Sequence, residues 1–407
     1  MSGQPTLKRA LSLPVITFYG LGTIIGAGIY VLVGEVAGKA GMLAPLAFVV
    51  AAGIAALTAF SYAELSARYP RSAGEAIYVH SAFGRRWLTA ATGWAVVLTG
   101  LVSAATITRG FYGYLDLFVT VPPWLAISGC ALCLGLIASW GINESAWTIT
   151  AITVLELLGL CLVLFWAGDS LGDLPVRWRE LIPGATYDVW VALSAGSFLA
   201  FYAFIGFEDM VNVAEEVKNP SRNLPIAIFL ALIISTCLYV LIALVAVLSL
   251  PLAQLAASAA PLADIVAQRG QISRNMIGGL SLFAVINGAL VQVIMASRVL
   301  YGLSQQAMAP ASFSSINPRT RTPVYATLFV TGIVLALALW LPLVTLAEMT
   351  SFVLLTIFAL VNAALVWLKL KGPSPAGSVS YPIWIPVAGT VVCVAFVLVN
   401  IGLELLF

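Results

Sequence analysis

Apolar residues run along this chain in long, nearly unbroken stretches, separated by short polar or Pro/Gly punctuation. Eleven such stretches can be drawn. They run from Leu13 to Val36, Met42 to Arg68, Trp87 to Leu115, Trp124 to Trp140, Ala146 to Trp166 and Tyr187 to Ala214. The remainder are Leu224 to Leu248, Asn275 to Ser304, Val324 to Leu341, Thr345 to Leu368 and Tyr381 to Leu406. A helix needs about 20 predominantly apolar residues to cross the hydrocarbon core of a bilayer. The pattern therefore predicts an all-α polytopic membrane protein with eleven transmembrane helices.

Composition strengthens that reading. The chain has 407 residues, 61% hydrophobic and only 9% charged, with a mean hydropathy of +1.04. A soluble domain carries about 25% charged residues. The spans leave no room for a soluble domain between them, which makes ATP-driven pumping, a receptor module and nucleic-acid binding poor readings. The net charge of +2 points to no polyanionic partner. All five cysteines lie in apolar runs, and the Cys130/Cys133 pair reads as packing rather than redox or zinc chemistry. Met1 to Ala10, with Lys8 and Arg9, looks like the start of a signal peptide, but the long run behind it has no small-residue cleavage site and reads as a retained first helix.

Charge distribution sets the expected orientation. With the N-terminus inside, thirteen basic residues fall on the inner side and six on the outer. This predicts a multi-pass plasma-membrane protein (the inner membrane in a bacterium), with a cytoplasmic N-terminus and an extracytoplasmic C-terminus. The stretch Arg71 to Gly84 reads as an amphipathic helix along the inner surface, with His80 an ordinary interfacial residue.

Two spans contain features a simple helix avoids. The first carries four glycines between Gly20 and Gly28, each costing about 1 kcal/mol against alanine. That is compatible with close helix packing or with an unwound, ligand-binding segment. The sixth reads Phe201-Tyr202-Ala203-Phe204-Ile205-Gly206-Phe207-Glu208-Asp209, a glycine among aromatics with two acids inside an apolar run. Two interrupted helices five spans apart point to an inverted-repeat transporter with its site near the midplane. Residues 1–170 would form the first repeat, 171–370 the second, and 371–407 an added helix.

Gly22-Thr23-Ile24-Ile25-Gly26-Ala27-Gly28-Ile29-Tyr30 resembles the helix 1 signature of the amino acid–polyamine–organocation superfamily. The sixth span, running on through Glu215-Glu216-Val217-Lys218-Asn219-Pro220, is similar to the same superfamily, as are Ser61-Tyr62-Ala63-Glu64-Leu65, Ser297-Arg298-Val299-Leu300-Tyr301-Gly302 and Leu346-Ala347-Glu348-Met349-Thr350-Ser351. Twelve spans are usual in that superfamily, so the chain departs from it by one. The resemblance implies a five-plus-five inverted-repeat fold with broken helices 1 and 6, and transport of amino acids or related amines. It implies that Thr23, Ile24, Gly26, Ala27 and Gly28 hold the substrate carboxylate. The span 6 residues Phe201, Ala203, Phe204 and Gly206 would surround the ammonium, with Phe201 as a lid. Elementary electrostatics agrees: a helix N-terminus offers N–H groups to an anion, and a C-terminus offers carbonyls to a cation.

Glu156 lies about ten residues into the fifth span, near the bilayer centre at roughly 1.5 Å per residue. An acid at that depth costs about 2.5–3.5 kcal/mol or more and is by default functional, so it is the candidate proton-coupling residue. The resembled superfamily holds a lysine there in some members, so the place carries over and the mechanism does not. A neutral, structural glutamic acid is the alternative. Sodium ranks below the proton, because Phe283 to Ala296 contains no Ser or Thr. Arg109 and Glu348, towards the outer ends of their helices, form a candidate outer gate. Glu208 and Asp209 fit a solvated vestibule or a helix cap.

No carboxylate is expected beside the side-chain pocket, which favours a small or medium neutral amino acid over a cationic amino acid or polyamine. The leading expectation is proton-coupled secondary active transport, with an ion-independent exchanger next. No enzyme chemistry, cofactor, metal or obligatory protein partner is expected beyond the amino acid and the bilayer.

Overall fold

The computed structural model describes residue 9 and residues 11–26, 28–70, 74–140, 146–372 and 379–406. Ala27, Lys8 and Arg71, which the reading above used, lie outside the described residues. The principal helices are α1 (Leu13–Ile25), α2 (Gly28–Ala40), α3 (Ala44–Arg68), α4 (Gly74–Phe83), α5 (Arg86–Leu115), α6 (Pro123–Trp140) and α7 (Ala146–Ala167). They continue with α8 (Tyr187–Phe201), α9 (Pro220–Ser249), α10 (Gln271–Gln305), α11 (Val324–Trp340), α12 (Leu343–Lys371) and α13 (Trp384–Leu406). Proline occupies the first turn of α1, α3 and α9, where its missing N–H has no helical partner to lose.

Among the described residues, nine helical segments are long and apolar enough to cross a membrane, and Leu13–Ile25 and Val324–Trp340 are shorter apolar helices. One of the nine, Gly28–Arg68, contains both α2 and α3. Large apolar side chains such as Leu136, Phe165 and Ile233 stand exposed on the rim, where lipid replaces water as the solvent. The only β feature among the described residues is a bridge between Leu11 and Val217, which ties the entrance of α1 to the end of the sixth span.

The interior is built around the broken spans. The first span packs through α1 on α7 and α9, and through α2 on α8; α3 packs on α8 and α9. The main core joins these elements. A second apolar cluster fills the space among α5, α10 and α11 around Val97, Val293 and Val330.

Polar anchors fix the periphery. On the face where α1 begins, the fully buried Glu64 pairs with Arg68 of its own helix and with Lys369 of α12, and accepts the Tyr381 N–H at 2.9 Å. Deeper in, Asn362 of α12 donates to Thr58 of α3 at 2.9 Å and accepts from Ser61. A Cβ on Gly389 of α13 would lie 2.8 Å from the Asn362 side chain, so α13 closes against this polar layer only because residue 389 is glycine.

One expectation needs correction. The helix after α3 does not lie along a surface: Gly74, Glu75, Tyr78, Val79 and Ala82 are buried, and α4 is tucked against α5 and α12. Tyr78 meets Tyr62 edge-on and Glu75 accepts the Tyr62 hydroxyl, so the polar positions serve inward contacts. His80 is exposed, its Nδ1 3.2 Å from Thr89 Oγ1.

Glu64→Gln leaves two basic groups in a site closed to water. Breaking one partner of a buried ion pair costs about 3–5 kcal/mol. The expected result is a clearly lowered thermal unfolding midpoint in detergent, and an unchanged midpoint would show that the network carries no stability.

Candidate functional site

The two broken spans cross each other. In the first, α1 ends at Ile25 and α2 starts at Gly28, with the Gly26 N–H still reaching Gly22 O at 3.3 Å. In the sixth, α8 gives way to a 3-10 turn at Tyr202–Phe204, an extended Ile205, and Gly206 at φ 126°. A second 3-10 stretch, Glu208–Glu216, completes that span. Glycine is required at both crossings. A Cβ on Gly206 would lie 2.8 Å from Ile24 N, and one on Gly28 would lie 2.8 Å from Ala203 Cβ. The φ of Gly206 also excludes most side chains.

Backbone groups freed inside a bilayer need partners. Tyr239 donates to Ile24 O at 2.7 Å. Glu208 Oε2 accepts the Gly206 N–H at 2.8 Å. Thr23 Oγ1 lies 2.9 Å from Gly206 O and 3.0 Å from Gly20 O, and its single proton serves one carbonyl at a time. This hydroxyl is a direct polar link between the two breaks.

A cavity sits in the crossing. The first span contributes Gly22, Thr23, Ile24 and Gly28, and the sixth contributes Tyr202 and Ile205. Ser103 and Ile107 of α5, with Gly288, Val291 and Gln292 of α10, complete its wall. Its volume is about 20 Å³, room for about one water, so the site is shut to an amino acid. None of these lining residues is charged. The polar equipment is the first turn of α2, whose N–H groups have no partner within their own helix, the Thr23 and Ser103 hydroxyls, Tyr202 and Gln292. Tyr202 OH lies 3.0 Å from Ser103 Oγ, bridging span 6 to α5 across the cavity.

A larger cavity of about 310 Å³ lies on the side of the face where α1 begins, walled in part by Tyr19, Glu75, Asn212, Glu216, Arg298 and Gln306. Val291 lines both cavities, so they approach each other at that side chain.

Of the residues singled out in the sequence, Thr23, Ile24 and Gly28 line the closed cavity. Gly26 sits beside it, where a Cβ would come 3.5 Å from Gly288 Cα. Phe201, Ala203, Phe204 and Gly206 do not line it. Phe201 packs edge-on against Phe358 at 5.8 Å and Phe204 against Tyr239 at 5.2 Å, while Ala203 and Gly206 abut the first break. The aromatic facing the cavity is Tyr202, one residue along, because consecutive residues of a helical turn point in different directions. The available clue was its hydroxyl, which needs a buried partner where phenylalanine needs none.

Glu156 is 1% exposed and stands outside the cavity wall. Its Oε1 accepts from Asn287 Nδ2 at 3.1 Å, its Oε2 has no partner among the described residues, and its backbone carbonyl accepts the Tyr30 hydroxyl. Arg109 and Glu348 are not brought together. Arg109 donates to Ala338 O at 2.8 Å, one of the carbonyls left unpaired at the end of α11, where a cation is favoured. Glu348 pairs instead with Lys39, in the last turn of α2. Glu208 and Asp209 are buried rather than solvated.

The chain matches the amino acid permease family over residues 11–403. It is 30% identical over 401 residues to the branched-chain amino acid permease BcaP of Bacillus subtilis, covering 91% of this chain and 83% of that protein. It is 32% identical over 392 residues to the vacuolar cationic amino acid transporter 2 of Arabidopsis thaliana, covering 90% of this chain and 61% of that one. Against the human cationic amino acid transporter 4 it is 29% identical over 408 residues, covering 92% and 62%. The chain thus spans about three fifths of the length of these cationic transporters.

Thr23→Val keeps the volume but removes the donor shared with Gly206 O. A buried acceptor left unpaired costs about 1–3 kcal/mol. The expected outcome is a lower unfolding midpoint together with loss of stabilisation by added amino acid. A variant that keeps full ligand-induced stabilisation would separate Thr23 from the site.

Proposed function

The chain belongs to the amino acid permease family, and we propose that within it the chain moves small or medium neutral L-amino acids by alternating access, driven by protons. The observation that carries this is the uncharged cavity at the crossed breaks. An α-amino acid has both its charges on one carbon. The N–H groups at the start of α2 suit its carboxylate, and main-chain carbonyls of the Tyr202–Ile205 turn suit its ammonium. The side chain then meets Ile107, Ile205 and Val291, an apolar wall that fits an aliphatic group. A guanidinium or ammonium side chain would be left unpaired there. Among the relatives, this favours a substrate like that of the branched-chain permease over those of the cationic transporters.

Residues 1–170 and 171–370 act in this reading as two inverted repeats, with α13 added, the N-terminus in the cytoplasm and the protein in the plasma membrane. The face where α1 begins is then the inner one, and the larger cavity is the inner vestibule. Lys39 and Glu348 take the role of outer latch, holding α2 to α12 on the side away from the vestibule. Glu156 takes and gives up the coupling proton: it is isolated from water, and one of its oxygens lacks a donor among the described residues. It communicates with the first break through Tyr30 of α2. Sodium fits less well, because α10 presents Gly288, Val291 and Gln292 to the cavity and no hydroxyl.

The Asn287 bond to Glu156 favours a second reading, in which Glu156 is a structural neutral acid and the protein is an ion-independent exchanger. Uptake by purified protein in liposomes separates the two. A labelled mixture of the twenty amino acids, with and without an inward proton gradient, is compared for wild type and Glu156→Gln. The expected result is gradient-driven accumulation of neutral amino acids that the Gln protein loses. Uptake that needs internal amino acid and ignores the gradient in both proteins would establish exchange instead.

A further inference from the structure

Three acids are sunk beneath the closed cavity on the vestibule side. Glu208 and Asp209 are 5% and 4% exposed, and Glu75 on α4 is 4% exposed. Among the described residues, none of the three makes an ion pair. Glu208 is accounted for as the cap on Gly206. Glu75 accepts the Tyr62 hydroxyl at 3.1 Å.

Asp209 is not accounted for. Among the described residues its Oδ2 is buried without a donor, and so is Oε1 of Gln292, an amide of the cavity wall. Glu75 stands against the same stretch: a Cβ on its neighbour Gly74 would lie 3.2 Å from Val211 Cβ, and Tyr62, which donates to Glu75, meets Phe207 at 5.6 Å. The neighbours facing the cluster are Tyr62 from α3, Tyr78 from α4 and Gln292 from α10, none of them cationic. Glu216 and Arg298 stand farther out, on the vestibule wall. Two orphaned acceptors and three crowded carboxyl groups have a common remedy. A proton turns one carboxylate oxygen into a donor and removes one negative charge.

We propose that Asp209 and Glu75 form a second proton-binding site, separate from Glu156, whose bound proton holds the Glu208–Glu216 segment closed beneath the cavity. Glu75 also lines the vestibule, so the proton enters and leaves there. When it leaves, the like charges push the 3-10 segment off α4 and α10 and the floor opens. Burial pushes the Glu75 carboxyl from its ordinary 4.5 up to about 7, which puts the transition in the neutral range. The sign follows from linkage. The folded protein keeps a proton that the unfolded chain gives up near 4.5, so the associated stability is present at low pH and is lost as pH rises towards 7.

The site does not depend on the proton-driven reading of Glu156, although its effect on exchange rests on the chain being a transporter. The test is thermal unfolding of the purified protein from about pH 5 to 8.5, in sodium chloride and in choline chloride, for wild type, Asp209→Asn, Glu75→Gln and Glu156→Gln. Wild type is expected to lose stability as pH rises. Asp209→Asn and Glu75→Gln should each remove a share of that fall, a share that Glu156→Gln, which removes only its own, should leave in place. In liposomes at equal pH on both sides, amino acid exchange should rise several-fold between about pH 5.5 and 8 in wild type and stay level in Asp209→Asn. If Asp209→Asn does not fold, Glu75→Gln carries the same expectation in both assays. Folded variants that keep the wild-type slope overturn the proposal. So does a slope that disappears only in Glu156→Gln, or sodium that stabilises wild type at high pH and not Asp209→Asn, which would make the ligand a metal cation. Failure of the Glu156 reading shows separately, as gradient-driven uptake that Glu156→Gln retains.

Discussion

Everything near the centre of this protein follows from two backbones being allowed to touch. Where the first and sixth spans cross, Gly28 lies against Ala203 and Gly206 against Thr23 and Ile24, at separations that leave no space for a Cβ. Contact this close breaks both helices, and broken helices in a hydrocarbon setting free polar groups that must be satisfied. Tyr239, Thr23 and Glu208 satisfy three of them. The start of α2 and the turn at Tyr202 and Ile205 open on one small cavity. The site is thus made chiefly of main chain, and the side chains around it serve to hold that main chain open.

The charged residues follow a different logic. Glu64 is buried and fully partnered, with Arg68, Lys369 and the Tyr381 N–H converging on it, as expected of an acid that holds helices together. Glu156 and Asp209 are buried and, among the described residues, each keep one oxygen without a donor. An acceptor left unpaired away from water costs free energy that a structural role does not require. The contrast separates acids that fasten the bundle from acids available for chemistry, and it divides them by partner count, since burial is common to all three.

Much of this was legible in the chain. The spans were marked by apolar run length, and the breaks by glycine where a helix would choose alanine. Glu156 stood out because a lone acid in an apolar helix has few innocent explanations. The direction of side chains was less legible. Phe201 and Tyr202 are equally aromatic neighbours, and which of them faces the cavity depends on the rotation of a 3-10 turn that no apolar pattern encodes. Arg109 and Glu348 sat at matching depths, but each found a nearer partner, a helix-end carbonyl and Lys39. The helix Gly74–Phe83 was misplaced for a related reason. The stretch reads as amphipathic along a surface, whereas Tyr62 on α3 draws Tyr78 and Glu75 into interior contacts.

The partition between the closed cavity and the larger one beside it is one residue thick at Val291. So thin a septum has little packing to lose, and modest changes in side-chain contact there act directly on how often it parts. Each 1.4 kcal/mol in such a barrier is about a tenfold change in rate. A few atoms at this position therefore have unusual leverage over the tempo of the molecule. Natural variation in the bulk of residue 291 would be a means of adjusting that tempo without disturbing the main-chain groups that recognise the ligand.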